Sequence, residues 1–154
     1  MTPRIDVHKI PADATKAMYG MEGYVRKSSG IESSLLELIK MRASQINGCA
    51  YCIDMHSKDA RAAGETEQRL YALDAWRETP FYSERERAAL EWTEAVTLIA
   101  QGHAPDDVYA RVRELFSEEE IVGLTFAIVT INSWNRLAIA LRSFVPGTYQ
   151  PKTV

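Results

Sequence analysis

The sequence has little cysteine, little excess charge and no long apolar run. Its 18 Lys and Arg residues against 21 Asp and Glu residues give a net charge of −3 over 154 residues. Because no basic patch is present, we predict no nucleic-acid partner. The longest apolar run, Leu124 to Ile131, falls short of the roughly 20 residues that cross a bilayer, so we predict no membrane partner.

The N-terminus also lacks the apolar segment of a secretory signal, since it begins Met-Thr-Pro-Arg-Ile-Asp-Val-His-Lys. We therefore predict a soluble, cytoplasmic protein. Its 46% of hydrophobic and 25% of charged residues are typical of a globular chain, and the length suits one domain over residues 1–154. Cytosolic thiols stay reduced, so the two cysteines are expected to be catalytic or metal-binding rather than a permanent cross-link.

Apolar residues recur at helical spacing along most of the chain, and no pair of strands is indicated. We predict an all-α fold of about six to seven helices, which follow an extended N-terminal arm up to Ile10. Capping boxes, Ser83 with Glu86 and Ser117 with Glu120, open two of the helices. The predicted helices cover about residues 12–26, 33–46, 48–63, 65–75, 83–100, 105–115 and 117–142.

The only two cysteines form the motif Cys49-Ala-Tyr-Cys52, and His56 follows four residues after the second. At about 100° per residue, the three side chains fall within about 60° of one another around a helix, and cysteines one turn apart can close a disulfide. The first turns of a helix stabilise a thiolate, and this effect alone favours Cys49 as the more acidic thiol. A histidine one turn further on can take a thiol proton. The pattern favours thiol redox chemistry.

Zinc binding is the main alternative to redox chemistry. The donor atoms that zinc accepts are present in Cys49, Cys52, His56 and Glu37. Structural zinc sites usually combine two separated ligand pairs, however, and this sequence has no second cysteine pair. A third interpretation is a pair of inert, buried cysteines. Glu37, at the edge of the apolar stripe of its own helix, is interpreted from that position alone as a solvated surface charge.

The spacing Glu-x11-Cys-x-x-Cys-x-x-x-His, from Glu37 to His56, resembles the signature of the alkylhydroperoxidase AhpD-like branch of the carboxymuconolactone decarboxylase superfamily. Segments 69–77 and 131–136 also resemble small single-domain members. The resemblance implies an all-α fold, assembly as a homotrimer or homohexamer, and an enzyme of the peroxiredoxin type that reduces hydroperoxides without a metal or other cofactor. The decarboxylase branch lacks this cysteine pair, so lactone decarboxylation is not predicted.

The resemblance also assigns roles to the motif residues. Cys52 is the thiol that a hydroperoxide oxidises to a sulfenic acid, and Cys49 donates a proton and then resolves that acid to a disulfide. His56 and Glu37 form the proton relay, directly or through a water molecule. The implied electron donor is a dithiol, such as a lipoyl or thioredoxin-like protein.

One position departs from the AhpD-like pattern. Well-characterised members carry a second histidine next to the second cysteine, where this sequence has Tyr51. A neutral phenol transfers protons less readily than a histidine does. The departure predicts weak peroxidase activity or a different substrate, and it keeps open a dithiol redox sensor or zinc-binding protein without efficient turnover.

The last predicted helix is apolar nearly all round, so part of it is expected to be covered by a partner subunit. Near its end, Trp134 is interpreted as a core residue, and Asn135 and Arg136 as surface or interface residues. His103, in a Gly-His-Ala-Pro turn, is interpreted as a capping or surface residue.

Overall fold

The computed structural model describes residues 2–10 and 12–151, and every regular element within those ranges is helical. The all-α prediction is confirmed. In chain order the elements are a 3₁₀ helix Val7–Lys9, α1 Ala12–Ser28, α2 Ser33–Asn47, α3 Ala50–Ala62, α4 Glu67–Ala72, a 3₁₀ helix Leu73–Glu78, α5 Glu84–Thr97, α6 Ile99–Gly102, α7 Asp106–Leu115 and α8 Glu118–Leu141.

Three elements differ from the sequence-based expectation. The predicted fourth helix is α-helical only over Glu67–Ala72, and Leu73–Glu78 continues as a 3₁₀ helix. The N-terminal arm is not extended throughout, because Val7–Lys9 forms a turn of 3₁₀ helix. The predicted fifth helix breaks at Leu98, whose ψ of 30° departs from helical geometry, and this break produces the separate short helix α6. His103 ends α6 in the left-handed conformation and is exposed, as its interpretation as a capping or surface residue requires.

Helix α2 lies at the centre of the fold, where it packs against α3, α5 and α8. Its apolar side chains Leu38 and Ile39 are completely buried. The apolar face of α1 packs against α8, and α7 packs against α5. This arrangement fixes α3, which carries the cysteine motif, against the central helix.

The junction between α2 and α3 positions the two cysteines. Gly48 ends α2 with a φ of 69°, a left-handed conformation that glycine adopts at little cost. Cys49 follows as the N-cap of α3, and its backbone N–H donates to the carbonyl oxygen of Ser44 at 3.0 Å. Both cysteines therefore lie in the first turn of a helix, as the sequence predicts.

The two predicted capping boxes are present, at Ser83 with Glu86 and at Ser117 with Glu120. The second box opens α8, a helix of 24 residues that contains an 18-residue window with a mean hydropathy of 1.3, so it is long and apolar enough to cross a membrane by length and composition. A core helix of a soluble protein meets the same criterion. Helix α8 packs against α1, α2 and α5 along its buried face.

Candidate active site

Helices α2 and α3 bring Glu37 and His56 together. The Nδ1 atom of His56 lies 2.7 Å from Oε2 of Glu37, and the two residues are only 2% and 9% exposed, respectively. The interpretation of Glu37 as a solvated surface charge is therefore wrong. The packing of α3 on α2 covers this edge of the stripe, a tertiary effect that the pattern of one helix does not reveal.

The environment of Glu37 keeps its side chain ionised. Burial raises the pKa of this carboxyl group, but the hydrogen bond with His56 and the positive charges of Lys40 and Arg26 outweigh it, so the pKa lies below its ordinary value. An ionised carboxylate can only accept, so Nδ1 of His56 must donate. In the neutral ring, Nε2 then carries a free lone pair, and it has no hydrogen-bond partner among the described residues.

A buried lysine lies next to the Glu37–His56 pair. Lys40 is 1% exposed, and its Nζ lies 2.8 Å from Oε1 of Glu22 and 3.7 Å from Oε1 of Glu37. Arg26 also contacts Glu22, with its Nε at 2.8 Å. Because a buried charge is stable only when paired, these contacts tie α1 and α2 together beside the Glu37–His56 pair. Sequence reasoning missed Lys40 and Glu22.

The two cysteines are free thiols, 1% and 2% exposed, that interact with each other. A hydrogen bond from Cys52, helped by Asn135, lowers the pKa of Cys49 to about 7 in spite of its burial. The same contact between the sulfur atoms raises the pKa of Cys52, as does its burial. The order of the two pKa values agrees with the expectation from the helix dipole that Cys49 is the more acidic thiol.

Asn135 joins the two thiols to α2. It is completely buried, and its side chain interacts with both cysteines. Its Nδ2 donates to Oγ of Ser44 at 3.0 Å, while its Oδ1 accepts from Nδ2 of Asn47 at 2.9 Å. The interpretation of Asn135 as a surface or interface residue is wrong, because this face of α8 packs on α2. The available signal was a polar residue inside a helix that is apolar nearly all round.

A cavity of about 470 Å³ lies over α3. Of the two described thiols, only Cys52 lies on its wall, together with His56. Most of the remaining wall is aromatic or apolar, and its aromatic side chains are Tyr19, Tyr51, Trp134, Phe144 and Tyr149. Trp134 is partly buried, as its interpretation as a packing residue implies, and Arg136 is exposed. The cavity therefore borders one of the two cysteine residues and the histidine.

A possible metal-ligand group partly overlaps this site. Glu37, His56 and Asp59 each offer a donor atom, and these atoms lie within 4.8 Å of one another. Among the described residues, neither cysteine belongs to that group. The zinc ligand set that the sequence left open as an alternative, in which two thiolates bind the ion, is therefore not the one that the described residues bring together.

The chain is thus an all-α protein with a buried pair of thiols at the start of a helix. The comparisons with known proteins agree, because residues 12–95 match the carboxymuconolactone decarboxylase family. The chain belongs to this family, and the AhpD-like resemblance is confirmed.

Three similar proteins illustrate the relationship. The uncharacterized protein YdfG of Bacillus subtilis is 52% identical over 141 residues, which cover 92% of this chain and 95% of that protein. A protein of unknown function from Agrobacterium tumefaciens, described as a candidate antioxidant defence protein AhpD, is 50% identical with a TM-score of 0.90 and covers 94% of this chain and 99% of its own. The debrominase Bmp8 shares the fold at 24% identity, with a TM-score of 0.78 over 88% of this chain and 72% of its own.

Proposed function

We propose that this protein is an enzyme, a thiol-dependent hydroperoxide reductase that cycles between a Cys49–Cys52 dithiol and a disulfide. The observation that carries the proposal is the cavity wall, which includes Cys52 and His56. A nucleophile and a basic nitrogen that face one small-molecule cavity are the parts that this chemistry needs.

The low pKa of Cys49 and the cavity access of Cys52 favour different attacking thiols. We assign the attack to Cys52, because a sulfur atom must reach the peroxide before its acidity matters. The two side chains share a hydrogen bond, so the thiol pair can lose one proton and keep the other on Cys49. The Nε2 atom of His56 takes the lost proton, directly or through a water molecule, and Glu37 stabilises the resulting imidazolium.

In the first chemical step, the Cys52 thiolate attacks the terminal oxygen of the hydroperoxide. The S–O bond forms as the O–O bond breaks, and the sulfur is oxidised by two electrons to a sulfenic acid. The remaining oxygen leaves as an alcohol after it takes the proton from Cys49.

In the second step, the Cys49 thiolate attacks the sulfur of Cys52 and forms the disulfide. The hydroxide that leaves takes its proton from the His56 imidazolium and departs as water. An external dithiol, such as a lipoyl or thioredoxin-like protein, then reduces the disulfide by exchange. The net reaction converts a hydroperoxide and a dithiol to an alcohol, water and a disulfide.

Thiol titration combined with intact mass measurement tests this function. One equivalent of hydroperoxide added to the reduced protein should remove both free thiols and lower the mass by two hydrogens, and dithiothreitol should restore both. Cys52→Ser serves as the control and should keep its remaining thiol. If peroxide leaves both wild-type thiols untouched, the proposed function is wrong.

Zinc binding without efficient turnover is the second candidate function. The observation in its favour is the approach of Glu37, His56 and Asp59 donor atoms to within 4.8 Å. Metal analysis of protein purified without added metal distinguishes the two candidates. Stoichiometric zinc that disappears in Asp59→Asn, together with unreactive thiols, would support the second.

A further inference from the structure

Four aromatic rings that line the cavity form one continuous surface. We call this surface the aromatic wall, and it consists of Tyr19, Tyr51, Trp134 and Phe144. Tyr51 stacks on Phe144 with ring centroids 5.0 Å apart, and Trp134 meets Phe144 edge-on at 6.4 Å. Tyr19 lies 5.5 Å from Trp134. The rings come from α1, α3, α8 and the segment after α8, so the wall is built by tertiary packing.

The size of the cavity suits an organic molecule. Its volume of about 470 Å³ lies within the ~300–1,000 Å³ of typical small-ligand pockets. Hydrogen peroxide is close in size to water, whose share of liquid volume is about 30 Å³. It would therefore reach Cys52 without contacting most of the aromatic wall.

The charged groups on the cavity wall already have partners. Glu22 accepts from Lys40 and Arg26, each at 2.8 Å, and Asp59 accepts from the Tyr149 hydroxyl at 2.7 Å. A charged substrate would have to compete with these internal contacts. A neutral, flat substrate instead gains contact with the rings and leaves the existing pairs intact.

We propose that the hydroperoxide reduced at Cys52 carries a neutral aromatic group that packs against the aromatic wall. This inference rests on the proposed function and names its substrate class. The terminal oxygen passes to the sulfur of Cys52, and the aromatic part leaves as the corresponding alcohol. Tyr51, which replaces a histidine of the AhpD-like pattern, thereby acts as part of the binding surface and not as a proton carrier.

Rates of thiol loss with two matched peroxides test the proposal. Cumene hydroperoxide differs from tert-butyl hydroperoxide by a phenyl ring in place of a methyl group. We expect the second-order rate constant to be at least about tenfold larger for cumene hydroperoxide, from the burial of that ring. Trp134→Leu and Tyr51→Leu should each reduce the ratio toward one. Tyr71→Leu, at a tyrosine that is 77% exposed and outside the cavity, should preserve it.

Binding of the product alcohols separates this inference from the proposed function. Calorimetry on the reduced protein should show at least about tenfold tighter binding of 2-phenyl-2-propanol than of tert-butanol. Equal binding together with equal oxidation rates would overturn the aromatic substrate class while the peroxidase function stands. Preferential binding of the aromatic alcohol, without oxidation of Cys52 by either peroxide, would overturn the function and leave the aromatic site supported.

Discussion

The chemistry of individual residues in this site depends on which atoms carry the protons. Glu37 stays ionised because His56, Lys40 and Arg26 outweigh its burial, and the carboxylate therefore fixes the proton of the neutral His56 ring on Nδ1. The sequence provided the cysteine motif and, through the family signature, Glu37 and His56. It did not provide Asn135 or Lys40, because their burial follows from contacts between helices that are distant in sequence.

Glu37→Gln tests the role of the ionised carboxylate. We expect the rate of peroxide oxidation at Cys52 to fall by about 100-fold, typical of a lost acid–base contribution. The folded-state pKa of Glu37 is lowered, so its contribution to the free energy of unfolding is fully present above its ordinary value of 4.5 and disappears as pH falls through the lower value. The stability gap to wild type, about 1.5 kcal/mol for a charged hydrogen bond, should therefore shrink in acid.

Denaturant unfolding between about pH 3 and about pH 8, a range that includes the ordinary pKa of a carboxyl group, measures that gap. Glu114→Gln, at an exposed position of α7, is the matched control and should change neither stability nor oxidation rate. A gap for Glu37→Gln that grows as the pH falls would contradict the assignment of an ionised Glu37.

Asn135→Leu tests the contact between α8 and the thiols. Asn135 is one cause of the lowered pKa of Cys49, so we expect its loss to move that pKa above about 7. The pH profile of thiolate ultraviolet absorbance measures the shift, because it needs no reagent to reach the buried sulfur of Cys49. Ser133→Ala, in the same helix but without a contact to the thiols among the described hydrogen bonds, should leave the profile unchanged. A profile that stays in place in Asn135→Leu would show that the amide does not stabilise the thiolate.

At the scale of elements, most of the helices were predictable and their contacts were not. The capping boxes at Ser83 and Ser117 predict where two helices begin from the local sequence alone. Gly48 likewise predicts where α3 begins. These signals are local hydrogen bonds and backbone angles. The approach of Glu37 to His56 depends instead on the packing of α3 on α2, which no local pattern specifies.

Gly48→Ala tests the turn that positions the cysteines. A Cβ at this position would meet no atom within 4 Å, so the cost comes from the φ of 69° alone. We expect a loss of about 1 kcal/mol in the free energy of unfolding. Gly20→Ala is the matched control, because Gly20 lies within α1 with no atom within 4 Å of an added Cβ, and it should stabilise the protein by about 0.5 kcal/mol. Equal effects of the two substitutions in denaturant unfolding would contradict this account of the turn.

At the scale of the whole molecule, α8 leaves an apolar face exposed. Val122, Phe126 and Val129 lie at helical spacing and are 49%, 44% and 42% exposed, respectively. Tyr24 of α1 extends this face, with its ring centroid 5.5 Å from that of Phe126. A contiguous exposed apolar surface is typical of an interface, which supports the expectation of a homotrimer or homohexamer.

Light scattering tests the assembly. We expect a mass of three or six chains at micromolar concentration, and Phe126→Glu should lower it because a carboxylate is costly to bury at an interface. Tyr71→Glu, at an exposed aromatic residue outside this face, should keep the wild-type mass. A monomer mass for the wild-type protein would remove the support for assembly.

Whether the Cys52 thiolate is the nucleophile that attacks the peroxide is tested by dimedone trapping of sulfenic acid in the two single-cysteine variants. We predict that Cys49→Ser accumulates the dimedone adduct on Cys52, because the resolving thiol is gone, and that Cys52→Ser gives no adduct. Peptide mass spectrometry locates the label. An adduct on Cys49 in Cys52→Ser, with none on Cys52 in Cys49→Ser, would contradict the account and reverse the order of the two thiols.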